Sequence, residues 1–385
     1  MGPLQGIKVV ELAGLAPVPF GAMLLADMGA EVVRIDRKSG SAAPVTLDPA
    51  SNVFNRSRRS IAMDLKSPDA VETVLRLVEK ADIFLEGYRP GVTERMGLGP
   101  DTCLARNPRL VYGRMTGWGQ TGPMAQRAGH DINYIALSGA LHLIGRKGER
   151  PVPPLNLVGD MGGGGLFLAF GVLCALIEAR QSGKGQVVDT AMIDGAALQL
   201  AGILAVRAMG RWSDERGTNM VDTGAPFYEV YETSDGKYIA VGAIEPQFFA
   251  ALSKGAQLDP EIFGPQMDET RWPKMKEELA AIFKTKTRSE WDAIFEGTDA
   301  CVTPVLSLEE AADHPHNASR GLYAKTPVLQ PMPGPRFSRT PGQISSPPSR
   351  LGEHTREALK DWGISDSEID RLQSVGAIGA DKGTN

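Results

Sequence analysis

Lys8-Val9-Val10-Glu11-Leu12, the run from Pro19 to Met28, and Glu31-Val32-Val33-Arg34-Ile35 form the stretch whose reading decides the fold. The first and third segments are short, apolar and rich in β-branched residues, as buried strands are. The middle one brings Phe20, Met23 and Leu24 to one helical face and stops at Gly29. Strand, helix and strand in such quick succession predict a parallel βαβ unit.

The alternation continues outward. Ser67-Pro68 opens a helix with Val71, Val74, Leu75 and Val78 at helical spacing, and Ile83–Leu85 and Leu110–Arg114 read as strands. Two long helices are expected at 161–181 and 193–209, on either side of a strand at Val187-Val188. The character changes after Gly210. Phe227–Thr233 and Lys237–Ile244 read as a hairpin turning at Ser234-Asp235-Gly236, with amphipathic helices near 246–254, 271–284 and 288–295. A Pro- and Ser-rich connection over 330–350 and a helical pair at 354–362 and 365–374 follow. The expected class is α/β, a mostly parallel sheet covered by helices with a smaller α+β domain beside it.

The chain has 385 residues, 42% hydrophobic and 23% charged, which suits a soluble globular protein of one large or two ordinary domains. A net charge of −5 argues against a general nucleic-acid binder while leaving room for a local basic pocket. Cys103, Cys174 and Cys301 form no CxxC pair, which suits a reducing, cytoplasmic setting without disulfides or a zinc site. His130, His142, His314, His316 and His354 do not group with them, and no metal is expected. The N-terminus has no signal-peptide pattern. The apolar run Met161–Ile177 falls just short of the roughly 18 residues of a membrane span and reads as a buried helix.

The turn after the first strand, Ala13-Gly14-Leu15-Ala16-Pro17-Val18-Pro19, lacks the GxGxxG of a dinucleotide site. Two basic runs stand nearby instead, Arg34-Ile35-Asp36-Arg37-Lys38 and Arg56-Ser57-Arg58-Arg59. Arginine near the end of the second strand is how such folds accept an adenosine phosphate, and coenzyme A carries a 3′-phosphate and a pyrophosphate. A solvated basic surface explains the runs equally well.

Three residues stand out for chemistry. His130 precedes a helical pattern carrying Ile132, Ile135 and Ala136, and a helix N-terminus favours the neutral, proton-accepting imidazole. Asp160 precedes a long apolar helix and is followed by Gly162-Gly163-Gly164-Gly165. An N-cap is its bland reading. Four glycines let a ligand approach the backbone, so free N–H groups there would hold an oxyanion. Glu245 sits between a strand and a helix, where a helix-start carboxylate is the simpler reading.

Together these segments resemble the class III coenzyme A transferase superfamily, and within it the α-methylacyl-CoA racemases. The resemblance rests on Lys8–Leu12, Glu31–Arg37, Arg58–Lys66, Glu86–Val92, Met115–Pro123, Gly129–Tyr134, Asn156–Asp160, Ser182–Asp189, Tyr238–Glu245 and Asp299–Val305. It implies a Rossmann-like large domain and a small domain in an interlocked homodimer, in keeping with the break near Gly210. Residues 1–210 and 316–385 would form the large domain and 211–315 the small one. It implies His130 and Asp160 as the acid/base pair and Glu245 as a partner orienting His130. Contacts with coenzyme A are implied at Arg37, Met63, Asp64, Leu65, Lys66, Gly87, Tyr88, Arg89 and Arg95, and at Gly129, Asp131, Asn133 and Tyr134 around the histidine. The implied substrate is a 2-methylacyl-CoA, with no cofactor beyond its own coenzyme A moiety, no metal, and neither nucleic acid nor membrane as partner. The thioester oxygen is expected at the N–H groups of Asp160 and Met161, with His130 and Asp160 on opposite faces of the α-carbon. In the transferases an aspartate like Asp160 takes up the acyl group, so a transferase is the first alternative. A non-catalytic acyl-CoA-binding protein is the second.

Overall fold

The computed structural model describes residues 2–14, 16–39, 48 and 51–379. The chain divides into two compact units, Met1–Ser138 with Leu155–Gln199 and Arg320–Asn385, and Gly139–Pro154 with Leu200–Ser319. The first unit is built on six parallel strands: β1 (Lys8–Leu12), β2 (Glu31–Arg37), β3 (Arg58–Met63), β4 (Ile83–Glu86), β5 (Val111–Thr116) and β6 (Gln186–Ala191). Their order is β3-β2-β1-β4-β5-β6. Strand order reverses between β1 and β4, and such sheets bind ligands beyond the carboxyl ends of their strands at that point.

Both faces of the sheet are covered, which is why the central strands read as unbroken apolar runs. On one face Val10, Val33, Phe84 and Tyr112 pack against the helices Pro68–Val78 and Thr355–Asp361, with Trp362 fully buried. On the other, Val9, Val32, Leu85 and Val111 meet the helices Pro17–Asp27 and Phe167–Ser182. The Pro17 helix is buried nearly all round: Val18, Ala22, Leu25 and Ala26 lie in the core with the expected Leu24 packed against it and the expected Met23 buried, while Phe20 meets Phe54 edge to face. The C-terminal segment returns to the sheet. Gly379 N–H donates to Ala62 C=O and Asp64 N–H to Ala377 C=O, each within 2.9 Å, so the tail borders the end of β3.

The basic run at 56–59 has another role than phosphate binding. Arg56 pairs with Asp27 at 2.6 Å, and Arg58 with Glu11, all four side chains being buried. Arg59 reaches Glu31 and Asp361. These arginines neutralise carboxylates under the first helix and along the sheet.

The second unit carries a three-stranded antiparallel sheet, β7 (Tyr228–Glu232), β8 (Tyr238–Gly242) and β9 (Val302–Pro304). The expected hairpin is β7-β8. Phe227, Tyr231, Trp272, Phe283, Trp291 and Phe295 fill its core. The helix expected over 193–209 is two helices, Met192–Leu198 and Ala201–Ala208, and the units part between them. The pattern change at Gly210 therefore lies inside the second unit, as does Gly139–Pro154.

Removing one member of a buried ion pair strands the other charge, at a cost of about 3–5 kcal/mol. Arg58→Ala should lose stability on that scale in urea unfolding, whereas Arg37→Ala, at an exposed position, should change it by no more than about 0.5 kcal/mol. Equal effects would contradict the structural role given to Arg58.

Candidate active site

β5 ends at Thr116 and leads into a loop that delivers His130. The loop is clamped by aromatic contacts. Trp118 and Tyr134 meet edge to face at 4.7 Å, and the Tyr134 hydroxyl donates to Gly129 C=O. A Cβ on Gly117 would fall 2.0 Å from the Tyr134 ring and one on Gly129 2.7 Å from it, so both positions require glycine. His130 is exposed and is the N-cap of the helix Asp131–Leu137. The Asn133 side-chain oxygen accepts from the His130 N–H at 3.0 Å. This helix buries Asp131, Tyr134 and Ile135, and exposes the Ile132 and Ala136 that its periodicity assigned to an inner face.

Asp160 is not a cap. Leu157–Leu166 is wound as a π-helix that runs on into Phe167–Ser182, with Asn156 as N-cap and Asp160 in the first turn. π-turns concentrate at functional sites. Asn156 donates from its amide to Asp160 Oδ2 at 3.1 Å. The Asp160 N–H donates to Asp131 Oδ2 at 2.7 Å, and the Met161 N–H to Asn156 C=O at 3.3 Å. Both N–H groups expected to hold an oxyanion are therefore already used. The N–H groups of Asp131 and Ile132 have no acceptor among the described residues.

The glycine run serves helix packing rather than ligand approach. A Cβ on Gly163 would lie 2.7 Å from Ala196 N, and one on Gly165 2.5 Å from Pro17 O. The π-segment is thus wedged between the Pro17 and Met192 helices. Burial pushes the Asp160 carboxyl above the ordinary carboxylate range. The Asn156 hydrogen bond opposes this, the Asp131 charge adds to it, and His130 opposes it again.

Residues 4–355 match the model of CoA-transferase family III. The chain belongs to this family. It is 48% identical to mouse (Mus musculus) α-methylacyl-CoA racemase and 46% identical to the human (Homo sapiens) protein of that name, each over 98% of both chains. It is 30% identical to mouse succinyl-CoA:glutarate CoA-transferase, covering 98% of this chain and 91% of that one. Among solved structures, a CaiB/BaiF family protein from Brucella suis has a TM-score of 0.78 at 26% identity, over 94% of this chain and 99% of its own.

Within this family setting, most residues expected to contact coenzyme A follow the carboxyl ends of strands. Arg37 is exposed at the end of β2, Asp64 and Lys66 are exposed and Leu65 half-buried after β3, and Gly87 and Arg89 are exposed after β4. The Tyr88 hydroxyl donates to Ala13 C=O at 3.3 Å, and Arg95 is exposed beyond it in sequence. Met63 differs: the whole residue is buried in the core, and its C=O accepts from the Lys38 N–H at 3.0 Å. Asp131 and Tyr134 likewise turn their side chains inward. Glu245 belongs to the second unit, exposed at the start of the helix Pro246–Ala256. Among the described residues no three His, Cys, Asp or Glu side chains gather as metal ligands would. A cleft of about 550 Å³ lined by Glu94, Asp101, Arg114, Gln120 and Asp189 contains neither His130 nor Asp160, and its acidic lining is unsuited to a phosphate-bearing ligand. Sequence reasoning missed Asn156, Gly159 and Trp118 as parts of the site, although all lie in or beside motifs it quoted.

Gly165→Ala should cost about 1–3 kcal/mol through overpacking against the Pro17 helix. Gly202→Ala, with open space around the position, should cost nothing. Thermal unfolding of the two variants checks this.

Proposed function

We propose that the chain is an α-methylacyl-CoA racemase, interconverting (R)- and (S)-2-methylacyl-CoA thioesters by proton transfer through an enolate. The observation that carries the reading is the tie between the two candidate proton carriers. His130 adjoins Asp131, whose carboxylate receives the Asp160 N–H, in a chain 48% identical over nearly its whole length to a racemase.

One of His130 and Asp160 takes the α-proton from its face of the carbon, and the other returns a proton to the opposite face. Burial raises the Asp160 carboxyl, the direction that favours an acid/base role, because such a group works best with its pKa toward the operating pH. The enolate oxygen is assigned to the N–H groups of Asp131 and Ile132, which have no acceptor among the described residues and stand beside His130. Such acid/base help is typically worth about 10² to 10⁴ in rate. The exposed Arg37, Asp64, Lys66, Arg89 and Arg95 are assigned to coenzyme A, with Leu65, Gly87, Tyr88, Gly129 and Asn133 beside them. Neither a metal nor a cofactor beyond the substrate's own coenzyme A enters the reaction. Glu245 enters the proposal through the family resemblance, as a residue that tunes the transfer.

The working form is proposed to be a homodimer. Leu157–Ser182 spans 26 residues and is apolar enough to cross a membrane by composition. Its inner face lies on β5 and β6. Its outer face exposes Leu166 at 55%, Phe170 at 63% and Ile177 at 60%. The expected buried helix is thus buried on one side only, and an apolar face of this kind suits a protein partner. Free Cys103, Cys174 and Cys301 support a reducing compartment such as the cytoplasm.

In deuterated water, wild type should racemise an (R)-2-methylacyl-CoA with solvent deuterium entering at the α-carbon, and mass spectrometry should find no acyl-enzyme. An acyl adduct on Asp160, with acyl movement to an added free acid as the main activity, would instead make the chain a transferase. Binding of the thioester without exchange or transfer would leave it a binding protein. Sedimentation should give twice the 41.2 kDa of one chain. A folded species of single-chain mass at micromolar concentration contradicts the dimer.

A further inference from the structure

We propose that Asp131 is a positioning residue, whose buried carboxylate ties the helix that carries His130 to the backbone of Asp160 and so sets the spacing of the two proton carriers. The inference rests on the racemase reading for its kinetic consequences and on geometry alone for the tie.

Asp131 is the first residue of its helix and is 6% exposed. Its Oδ2 accepts the Asp160 N–H at 2.7 Å, and its Oδ1 is buried with no partner. A buried carboxylate with one short bond and one idle oxygen is costly unless it serves a purpose. Gly159 shows how closely the two elements are fitted. A Cβ there would stand 2.5 Å from Asp131 Oδ2 and 2.8 Å from Cγ. The carboxylate occupies the place of a side chain at 159, so glycine is the only residue that fits beneath it. His130 is adjacent in the chain and fixed by its own N–H bond to Asn133. Movement of the Asp131 helix therefore moves His130 and Asp160 together.

The charged and titratable groups around Asp160 are few. From the Asp131 helix they are His130, Asp131 and Tyr134, and Asn156 is the hydrogen-bonding neighbour on its own segment. The Met192 helix carries only Asp194, which acts on Asp189 of β6, and the Pro17 helix only Asp27, which is paired with Arg56. The Phe167 helix bears Glu178 and Arg180 near its far end. Asp131 is thus the anion next to Asp160, and removing its charge lowers the pH at which Asp160 ionises.

Asp131→Asn keeps an oxygen for the Asp160 N–H and loses the charge, whereas Asp131→Ala loses both. With Asp131→Asn, the pH–rate limb that reports Asp160 should move to lower pH. With Asp131→Ala, kcat should fall about 10²-fold, the scale of a misplaced catalytic group, with little change in KM. Hydrogen exchange of the segment Leu157–Leu166 should become faster in the alanine variant and not in the asparagine one. Gly159→Ala should reproduce the alanine defect by displacing the carboxylate, and the double variant should be no worse than Asp131→Ala alone. If both Asp131 variants instead raise KM at unchanged kcat and leave that exchange untouched, Asp131 is a ligand contact and the proposal fails. It also fails if the Gly159 and Asp131 effects multiply. Absence of α-proton exchange in wild type would sink the racemase reading, while hydrogen exchange and the stability of the double variant would still decide whether Asp131 holds Asp160.

Discussion

Close approach through glycine is the constraint on which the site depends. Gly163 and Gly165 let the π-segment sink against the Met192 and Pro17 helices to distances that a Cβ would forbid. That seat fixes the depth of Asp160, and the wide π-turn leaves its N–H aimed sideways at Asp131 rather than into the helix. Asp131 begins an earlier helix, and His130 caps it. Packing, backbone winding and the placement of the two candidate proton carriers are thus consecutive links of one chain.

Most of the parallel sheet was legible because β1, β2, β4 and β5 are apolar runs buried on both faces, whereas β3 was not read as a strand, since it opens on Arg58-Arg59 and no α-helix separates it from β2 among the described residues. The hairpin β7-β8 was legible from alternation and a Ser-Asp-Gly turn. What escaped the sequence shares one physical cause, a partner far away in the chain. The glycine run reads as an open backbone until Pro17 and Ala196 are seen against it. The Asp160 N–H reads as a free donor until Asp131, 29 residues earlier, is found accepting it. Arg56 and Arg58 read as a phosphate site or a solvated surface until Asp27 and Glu11 are seen beneath them. The helix face at 131–137 was misread because its inward position is held by a carboxylate, and hydrophobic periodicity does not register a buried acid.

His130, Asp160 and the strand-end positions of Arg37, Lys66 and Arg89 were singled out from sequence, and the structure places His130 and Asp160 on elements joined by one hydrogen bond. The Asp160 and Met161 N–H groups, read from sequence as oxyanion donors, are already bonded within the fold, and a hydrogen bond already made is not offered to a substrate. Asp160 is left as a half-buried carboxyl that burial pushes above the ordinary carboxylate range.

The central claim is that His130 and Asp160 serve opposite faces of one planar intermediate. The most direct measurement is α-proton exchange in deuterated water by His130→Ala, followed separately for the pure (R)- and (S)-2-methylacyl-CoA epimers by NMR. The account predicts that inversion is abolished and that exchange survives with one epimer alone, the one whose α-proton faces Asp160. Continued inversion, or equal exchange of both epimers, would contradict it.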